Sequence, residues 1–265
     1  MLAHERQNKI YDMIQRDRAV TTAMLVRIFG VSIETIRRDL LTLEQSGKLM
    51  RVHGGAVAKT GMKPYMELKQ RHKEFKAQKY AVSLKAAEFI EDRDIIGVDC
   101  GSTAIYFAEV LKEKFSQLTV VTHSKDVFNI LCDHKDFTVI LCGGHYLRGE
   151  NAFCGELTLS MLRNLHIQKS FIFPSAVSLE YGICDFQKDL YQVQKQMMLS
   201  SDKVHILADS SKFEKTGLLK LDSMKTEYVY VTDSSLQGDV VNLYKENNIE
   251  IHLGRHNHAC SFNIG

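Results

Sequence analysis

The chain has 265 residues, of which 45% are hydrophobic and 25% are charged, and its formal net charge is +2. This composition excludes a disordered polypeptide, and no apolar run approaches the ~18 residues needed to span a bilayer. The length suits two domains, and because the N-terminal segment lacks the apolar stretch of a secretory signal, we expect a cytoplasmic protein.

Charge is distributed unevenly along the chain. Residues 1–80 contain 16 lysines and arginines against 8 acidic residues, whereas residues 81–265 contain 18 against 24. A basic N-terminal segment on an acidic body indicates a polyanionic partner for the first segment, although a basic face can also be simply solvated.

The six cysteines indicate neither a disulfide framework nor a metal site. None belongs to a C-x-x-C pair and several lie inside apolar runs, so we expect buried free thiols. We interpret 252-HLGRHNHACSF-262, the nearest approach to a metal-binding cluster, as a polar tail. The chain also lacks a G-x-G-x-x-G motif and a Walker loop, so we expect no metal and no cofactor.

Three short helices are predicted at the start of the chain. Apolar residues recur at helical spacing in 4-HERQNKIYDMIQRD-17, 22-TAMLVRIF-29 and 32-SIETIRRDLLTLEQSG-47. Thr21 or Thr22 can cap the second helix, and Ser32 can cap the third. Gly30 suits a tight turn with positive φ between them, and Gly47 ends the third helix.

This pattern of helices is typical of a helix-turn-helix motif, although an ordinary helical hairpin with solvated arginines would share it. In the motif, the second helix of the pair lies in the major groove and its N-terminal residues face the base edges. Arg37 and Arg38 avoid the apolar face of this helix, so each can contact phosphate or guanine. The residues expected at DNA are Thr22, Ser32, Glu34, Thr35, Arg37 and Arg38.

The following run, 48-KLMRVHGGAV-57, predicts a two-stranded wing. Met50 and Val52 alternate with Arg51 and His53, and two glycines form the turn. A basic wing beside a basic helix is favoured by backbone phosphates, so Arg51 and His53 join the expected DNA contacts.

The run S-x-x-T-I-R-R-D-L, followed by L-E-x-x-G-x-L-x-R-x-H-G-G-A, resembles the DeoR family of bacterial transcriptional regulators. The match extends almost unbroken from Arg6 to Ala56, with Ile10 and Ile14 at the family's upstream spacing. The resemblance implies a winged helix-turn-helix that binds operator DNA, usually as a repressor. By position, it places Ser32, Thr35, Arg37 and Arg38 at the DNA and Arg51 and His53 in the wing. We expect Asp39 to orient a neighbouring arginine, since a carboxylate facing phosphate is repelled.

The predicted organisation is a winged helix-turn-helix domain at residues 1–58, a linker at 59–75 and an α/β effector-sensing domain at 76–265. The segment 58–80 contains Pro64, many charges and few large apolar residues, which is typical of an exposed connection. A helix is predicted after it, at about 75–91.

From residue 93 onward, short β-branched apolar runs alternate with helical ones. Predicted strands lie at 95–99, 118–122, 137–142, 170–174, 204–209, 228–232 and 249–253, and predicted helices at 103–114, 124–132, 156–165 and 188–200. Continuous apolar strands separated by helices indicate a mainly parallel α/β sheet with helices on both faces.

Small polar residues, glycines or charges follow four of these strands. Ligands of such sheets collect beyond the carboxyl ends of the strands. The candidate effector-binding residues there are Asp99, Gly101, Ser102, Thr103, Thr122, His123, Gly143, Gly144, Arg148, Asp209 and Lys212. Each loop alone has an ordinary composition, and it is their recurrence at successive strand ends that favours a shared pocket.

The chemistry of these residues suits a small polar anion. Ser102 and Thr103, at a helix N-terminus, offer hydroxyls and free N–H groups. Arg148 and Lys212 add positive charge, and Asp99 can accept a sugar hydroxyl. A phosphorylated sugar fits this combination.

The resemblance to the DeoR family continues more loosely in this part. The matching positions are D-x-G-S-T at 99–103, G-G at 143–144, Gly155, Glu156, Lys195 and D-S-S-K-F at 209–213. The family's sensor domain resembles ribose-5-phosphate isomerase and CoA transferases in fold and senses a sugar phosphate or related metabolite. The resemblance therefore adds Glu156 and Lys195 to the candidate effector-binding residues. The chain departs from the family at His123, where asparagine is common, at 173-FPSAVS-178, and at Tyr191 and Gln192.

Two functions are consistent with these patterns. The first is an effector-controlled repressor that binds double-stranded operator DNA as a homo-oligomer, a dimer or a tetramer. The second is a sugar-phosphate isomerase or transferase carrying a DNA-binding head, with Asp99, Glu156, Lys195 and Asp209 as acid–base groups. Since the sequence shows no two carboxylates poised together and no nucleophile paired with a base, we expect no enzyme.

Overall fold

In the computed structural model, residues 2–17, 19–52, 54–58 and 68–255 are described. The elements of the head, in chain order, are α1 (Ala3–Asp17), β1 (Ala19–Thr21), α2 (Thr22–Phe29), α3 (Ile33–Gln45), β2 (Leu49–Val52) and β3 (Gly55–Ala58). The three strands form an antiparallel sheet in the order β1-β3-β2. The predicted helices and wing are confirmed, whereas β1 occupies a segment predicted as a break. The sequence could not predict β1, because three residues are too few to show the alternation of apolar and polar side chains that marks a strand. Its hydrogen bonds to β3 define it as a strand.

Capping residues mark where the second and third helices of the head begin. Thr21, not Thr22, caps α2, because its Oγ1 accepts the N–H of Met24 at 3.1 Å. Gly30 ends α2 with φ 62, as the turn requires, and Ser32 Oγ accepts the N–H of Thr35 at 3.2 Å to begin α3.

The core of the head lies between its helices and its sheet. Its fully buried side chains are Ile10, Ile14, Val20, Leu25, Ile36, Leu40, Leu43, Leu49 and Ala56. Asp39 is buried beside this core and accepts Nε of Arg6, in α1, at 2.6 Å. Asp39 thus binds an arginine, as expected, but that arginine is Arg6 on α1 and not its neighbour Arg37 or Arg38, so the pair ties α3 to α1.

The remaining elements form the larger part of the molecule. They are α4 (Leu68–Lys73), α5 (Lys76–Ala87), β4 (Ile95–Val98), α6 (Ser102–Lys114), β5 (Thr119–Thr122), α7 (Lys125–Leu131), β6 (Thr138–Leu141), β7 (His145–Leu147), β8 (Ala152–Cys154), α8 (Glu156–Arg163), β9 (Ile167–Ile172), β10 (Ala176–Ser178), β11 (Gly182–Asp185), α9 (Lys188–Leu199), β12 (Ser201–Leu207), β13 (Leu219–Asp222), β14 (Val229–Asp233), α10 (Gly238–Glu246) and β15 (Ile251–Gly254). Two short 3-10 turns lie at Arg148–Glu150 and Ser210–Lys212.

A seven-stranded sheet in the order β15-β14-β12-β9-β4-β5-β6 organises this part, and every one of its pairings is parallel. Helices α5, α6 and α7 cover one face, with Val82 and Phe107 in that core. Helices α8, α9 and α10 cover the other face, with Met197 and Tyr244. The predicted α/β class is therefore confirmed, and the carboxyl ends of all seven strands share one edge.

The main differences from the sequence predictions concern short antiparallel strands. Two small sheets, β10-β11-β13 and β7-β8, lie in segments predicted as loops. The predicted helix at 75–91 is shorter, as α5, and α10 was not predicted. In the described ranges no helix is both long and apolar enough to cross a membrane. The division at residues 58 and 75 stays a prediction.

Candidate DNA-binding surface and effector site

The N-terminal half of α3 presents its polar residues to solvent. The side chain of Arg37 is 58% exposed and donates to Glu34 Oε1, in the preceding turn, at 2.6 Å. Arg38 is exposed beside it, and Ser32 shares a 2.8 Å hydrogen bond with Thr35. Because the two guanidinium groups are held away from the core, they can meet a polyanion without unfolding the helix.

A cleft of about 490 Å³ separates α3 from the wing. Arg37 and Arg51 line it from opposite sides, and Arg51 is fixed by Glu44, which accepts its backbone N–H at 2.8 Å. Thr22 also lines the cleft but is only 9% exposed. His53 lies outside the described residues, so its place in the wing stays a prediction.

At the shared strand edge, Asp99 is the centre of a mostly buried group of polar side chains that we call the strand-end cluster. The cluster comprises Lys79, Asp99, His123, Asp185, Gln194, Asp209 and Lys212. Asp99 is fully buried after β4, where its Oδ1 lies 2.9 Å from His123 Nε2. Its Oδ2 accepts the N–H of Phe173 at 3.1 Å and Nε2 of Gln194 at 2.9 Å.

The hydrogen bonds of His123 determine where its protons lie. Nδ1 faces the carbonyl oxygen of Phe153 at 2.8 Å and must donate to it. Nε2 faces Asp99 Oδ1, so one further proton lies on that line, either on the ring or on the carboxyl group. His123 therefore bridges the Phe153 carbonyl oxygen and the Asp99 carboxyl group with its two ring nitrogens.

Gln194 and Asp185 complete the cluster from α9 and β11. Gln194 Nε2 also donates to Asp185 Oδ2 at 3.2 Å, so one amide group bridges two carboxylates. Asp185 Oδ1 accepts the N–H groups of Phe186 at 2.6 Å and Gln187 at 3.3 Å. Burial raises the pKa of Asp185, and these N–H groups partly oppose the rise.

Two lysines supply the positive charge of the cluster. Lys79 is 3% exposed, and burial lowers its pKa to about 8 despite the opposing charge of Asp209. Burial also lowers the pKa of Lys212, whose Nζ donates to the carbonyl oxygen of Pro174 at 3.0 Å. Both ammonium groups are held in a poorly solvated site, where an anion would compensate the lost hydration.

The helix α4 lies over the cluster. Lys79 Nζ donates to the carbonyl oxygens of Arg71 and Glu74, at the end of α4. Arg71 pairs with the buried carboxylate of Glu150, and the ring of His72 stacks on Tyr106 with centroids 4.8 Å apart. The segment that follows the linker is therefore bonded directly to the cationic side of the cluster.

The turn at which we expect an anion to bind lies at the start of α6, and its binding role stays a prediction. Gly101 adopts φ 130, which favours glycine, and Ser102 and Thr103 are 4% and 1% exposed. In the described part of the chain no group bonds to Thr103 Oγ1, although the atom is buried. The turn thus offers helix N–H groups and one unsatisfied hydroxyl.

Some candidate residues have structural partners. Thr122 Oγ1 donates to the carbonyl oxygen of Val98 at 2.7 Å. At Gly144 a Cβ atom would lie 2.3 Å from Thr158 Oγ1, so close packing requires this glycine. Gly143 borders open space.

Three predicted cationic or acidic residues lie away from the cluster. Glu156 and Lys195 are exposed, and their contacts are with Arg163 and Tyr191 respectively. Arg148 is exposed and lines a separate cleft of about 790 Å³ beside α4. The structure brings none of these three side chains to Asp99, because each points outward from its helix or turn.

Asp99, Cys100 and His123 form a group of metal-ligand types whose ligand atoms lie within 4.8 Å of one another. Two ligands of one tetrahedral zinc would stand roughly 3.3 Å apart, whereas Asp99 and His123 are at the hydrogen-bond distance of 2.9 Å. Burial also raises the pKa of the Cys100 thiol well above its usual range, which disfavours a thiolate. The group therefore fits a hydrogen-bonded pair better than a metal site.

The sequence interpretation missed Lys79, Asp185 and Gln194. Lys79 gave a signal, since it lies at helical spacing with Val82 and Ala86 on the apolar face of α5. Asp185 and Gln194 gave none, because β11 is only four residues long and glutamine is ordinary on a helix.

Comparison with known proteins accounts for both parts of the chain. A family model described as the DeoR-like helix-turn-helix domain matches residues 6–61, and one described as the DeoR C terminal sensor domain matches residues 74–234. The L-fucose operon activator of Haemophilus influenzae is 31% identical over 245 residues, covering 92% of this chain and 97% of that protein. The glycerol-3-phosphate regulon repressor of Escherichia coli is 26% identical over 251 residues, covering 94% and 98%.

Solved structures also resemble part of the chain. Ribose 5 phosphate isomerase A from Neisseria gonorrhoeae is 20% identical with a TM-score of 0.38, over 52% of this chain and 53% of that one.

Proposed function

Since the chain belongs to the DeoR family of bacterial transcriptional regulators, we propose that it represses a carbohydrate-metabolism operon under the control of a phosphorylated sugar. The observation that carries the proposal is the pairing of two exposed arginines on α3 in the head with a cluster of two lysines and three buried carboxylates in the sensor part. The first suits a polyanion, and the second suits a small ligand that has both an anionic and a hydroxyl-bearing end.

The proposed DNA contacts are Ser32, Glu34, Thr35, Arg37, Arg38, Thr22, Arg51 and His53. Their support is the exposure of Arg37 and Arg38 on α3 and of Arg51 across the cleft. An arginine can contact guanine with two hydrogen bonds or a phosphate with one or two, so this face can provide both affinity and sequence readout. Thr22 has the least support, because its side chain is nearly buried and its backbone N–H donates to the carbonyl oxygen of Gly54 at 2.8 Å.

The proposed effector site is the strand-end cluster together with the turn at Gly101, Ser102 and Thr103. Lys79 and Lys212 would bind the phosphate beside the N–H groups of α6. Asp99 and Gln194 would bind hydroxyls as acceptors. Anion binding would compete with the carbonyl oxygens of α4 for the Lys79 ammonium, which gives the ligand a physical route to the segment next to the linker.

An enzyme built on the same site is the second candidate, and the geometry favours it less. Of its four acid–base groups, Glu156 and Lys195 are exposed and lie outside the cluster. Asp99 and Asp209 are buried and accept hydrogen bonds from neighbouring groups. A ligand sensor needs only such binding groups, and no acid or base poised for proton transfer.

We propose that the heads act as a pair in a homodimer or a tetramer, because a helix-turn-helix reads one half-site and symmetric operators need two. We propose that DNA binding represses transcription and does not activate it. Since one relative is named an activator and another a repressor, the sense needs a direct test.

The proposal is tested with the full chain. Duplexes selected from a random library would be used in mobility-shift assays, with and without a panel of phosphosugars. We expect a specific duplex to be bound and at least one phosphosugar to change its affinity. A promoter carrying the selected site should become more active when the gene is deleted. Turnover of a phosphosugar by the purified protein, or failure to select any duplex, would contradict the proposal.

A further inference from the structure

The amide group of Gln194 is fixed in one orientation. Its Nε2 donates to Asp99 Oδ2 at 2.9 Å and to Asp185 Oδ2 at 3.2 Å. Both partners are carboxylate oxygens, so a reversed amide would place its carbonyl oxygen against two acceptors. The direction of Oε1 therefore follows from the two carboxylates around it.

Oε1 of Gln194 is buried and has no hydrogen-bond partner among the groups that the structure describes. Gln194 itself is 1% exposed. A buried acceptor without a donor destabilises the folded state, and such atoms are few in native proteins. Thr103 Oγ1, on the neighbouring anion-binding turn, is in the same condition. A ligand with a hydrogen-bonding group at each of these two atoms would satisfy both.

Resting on the proposed function, we propose that Gln194 is a specificity-determining residue that selects an effector with a hydroxyl at Oε1. A keto oxygen or a phosphate dianion cannot fill this position, because neither has a proton to donate. The phosphate of the same ligand belongs at Lys79 and Lys212, which offer donors and positive charge. Gln194 thus selects the sugar by its hydroxyl group, and the two lysines select for its phosphate group.

The orientation also explains how one residue can discriminate strongly. A ligand that lacks the hydroxyl leaves Oε1 unpaired in the complex, as it is without ligand. A site built around a hydrogen-bonding group rejects analogues that lack the partner far better than an apolar pocket rejects a smaller ligand. Gln194 cannot turn to adapt, because Asp99 and Asp185 hold its amide.

The test uses the full chain and the variant Gln194→Met, which keeps the side-chain length but has no amide. Gln192→Met, exposed on the same helix, is the matched control. Isothermal titration would compare inorganic phosphate, D-ribose 5-phosphate, D-glucose 6-phosphate and the singly deoxygenated form of each sugar phosphate at every hydroxyl. In the unmodified protein and in Q192M, loss of one particular hydroxyl should weaken binding roughly tenfold or more. In Q194M that difference should fall below about threefold, and inorganic phosphate should bind as before.

Each outcome decides the matter. If Q194M keeps the full discrimination, or if no single hydroxyl matters in the unmodified protein, Gln194 does not select the ligand. If neither the sugar phosphates nor inorganic phosphate binds the unmodified protein, the proposed effector class fails, and this inference fails with it.

A second measurement covers the case in which Q194M does not fold. A crystal structure of the unmodified protein with the tightest-binding sugar phosphate should place a ligand hydroxyl about 2.7–3.2 Å from Oε1. Oε1 bonded to a protein group, to water alone or facing the phosphate would overturn the assignment.

Discussion

The proposed DNA-binding face and the strand-end cluster differ in burial and in how far apart in the chain their residues lie. On α3, Arg37 and Arg38 are adjacent in the chain and exposed, and they contribute little to the core. In the cluster, Asp99, His123 and Gln194 come from three elements, are buried, and bind one another. Substitutions on the first should change binding and spare folding, whereas substitutions in the second should disturb both. The predictions below test that contrast, from the largest effect to the smallest.

Among the described residues of the head, Arg6 and Asp39 form a buried charge pair, and breaking it should give the largest change. Asp39→Ala leaves the Arg6 guanidinium buried without its carboxylate. We expect the free energy of unfolding of the head to fall by about 3–5 kcal/mol, measured by chemical denaturation of the full chain. The exposed Asp12→Ala on α1 should change it by less than about 0.5 kcal/mol. A small loss for Asp39→Ala would show that the pair is not needed.

The sensor part should be the more acid-sensitive region because it buries a histidine. His205 stacks on Phe171 with ring centroids 4.6 Å apart, and burial lowers its pKa from 6.5 to about 4. As the pH falls from 6.5 to 4, His205 binds a proton in the unfolded chain but stays neutral in the folded chain. The free energy of unfolding should therefore decrease by about 3 kcal/mol over that range.

Thermal unfolding across this pH range would measure the effect of His205. His205→Phe should remove most of the pH dependence, and the exposed His166→Gln should leave it intact. An equal pH dependence in H205F would assign the acid sensitivity to other groups.

Arg37 and Arg163 offer a matched pair from the two regions. Each is an exposed arginine bonded to a glutamate of its own helix. Arg37→Ala should weaken binding to the selected duplex by about 1–3 kcal/mol if it contacts a base, whereas Arg163→Ala should leave it unchanged. Mobility-shift titrations at fixed salt measure both, and equal affinities would remove Arg37 from the proposed contacts.

Lys79 should make effector binding depend on pH above neutrality. Its pKa of about 8 means that it loses its proton as the pH rises from 7 to 9. The phosphate keeps its charge over this range, so binding of a sugar phosphate should weaken by about tenfold at pH 9. Titration calorimetry would measure this, with Lys79→Arg as the variant that cannot lose its charge. A pH-independent affinity in the unmodified protein would exclude Lys79 from the site.

Lys195 should give the smallest effect. Because its side chain is exposed beside Tyr191, Lys195→Ala should alter sugar-phosphate affinity by less than about twofold. Lys212→Ala, in the cluster, is the contrast and should abolish most of the binding. A large loss of sugar-phosphate affinity in K195A would show that Lys195 belongs to the effector site and that its side chain turns inward when the ligand binds.

Neighbouring positions on α9 show where prediction from sequence ends. Lys195 matched a family motif and Gln194 did not, yet it is Gln194 that bonds Asp99. Successive residues of a helix point about 100° apart, so the rotation of α9 on the sheet decides which one faces the site. That rotation follows from the packing of Val193 and Met197 in the core, which involves strands far away in the chain.

The sequence by itself determined the features that depend on near neighbours. The cap at Ser32, the positive φ of Gly30, the outward arginines of α3 and the buried strands after residue 93 all follow from local spacing and residue type. Tertiary structure alone decided the order of the strands, the pairing of β1 with β3, and the meeting of Lys79, Asp185 and Gln194 around Asp99. Local patterns record which face of an element is buried, whereas the choice of partner for that face depends on the free energy of the whole packed sheet.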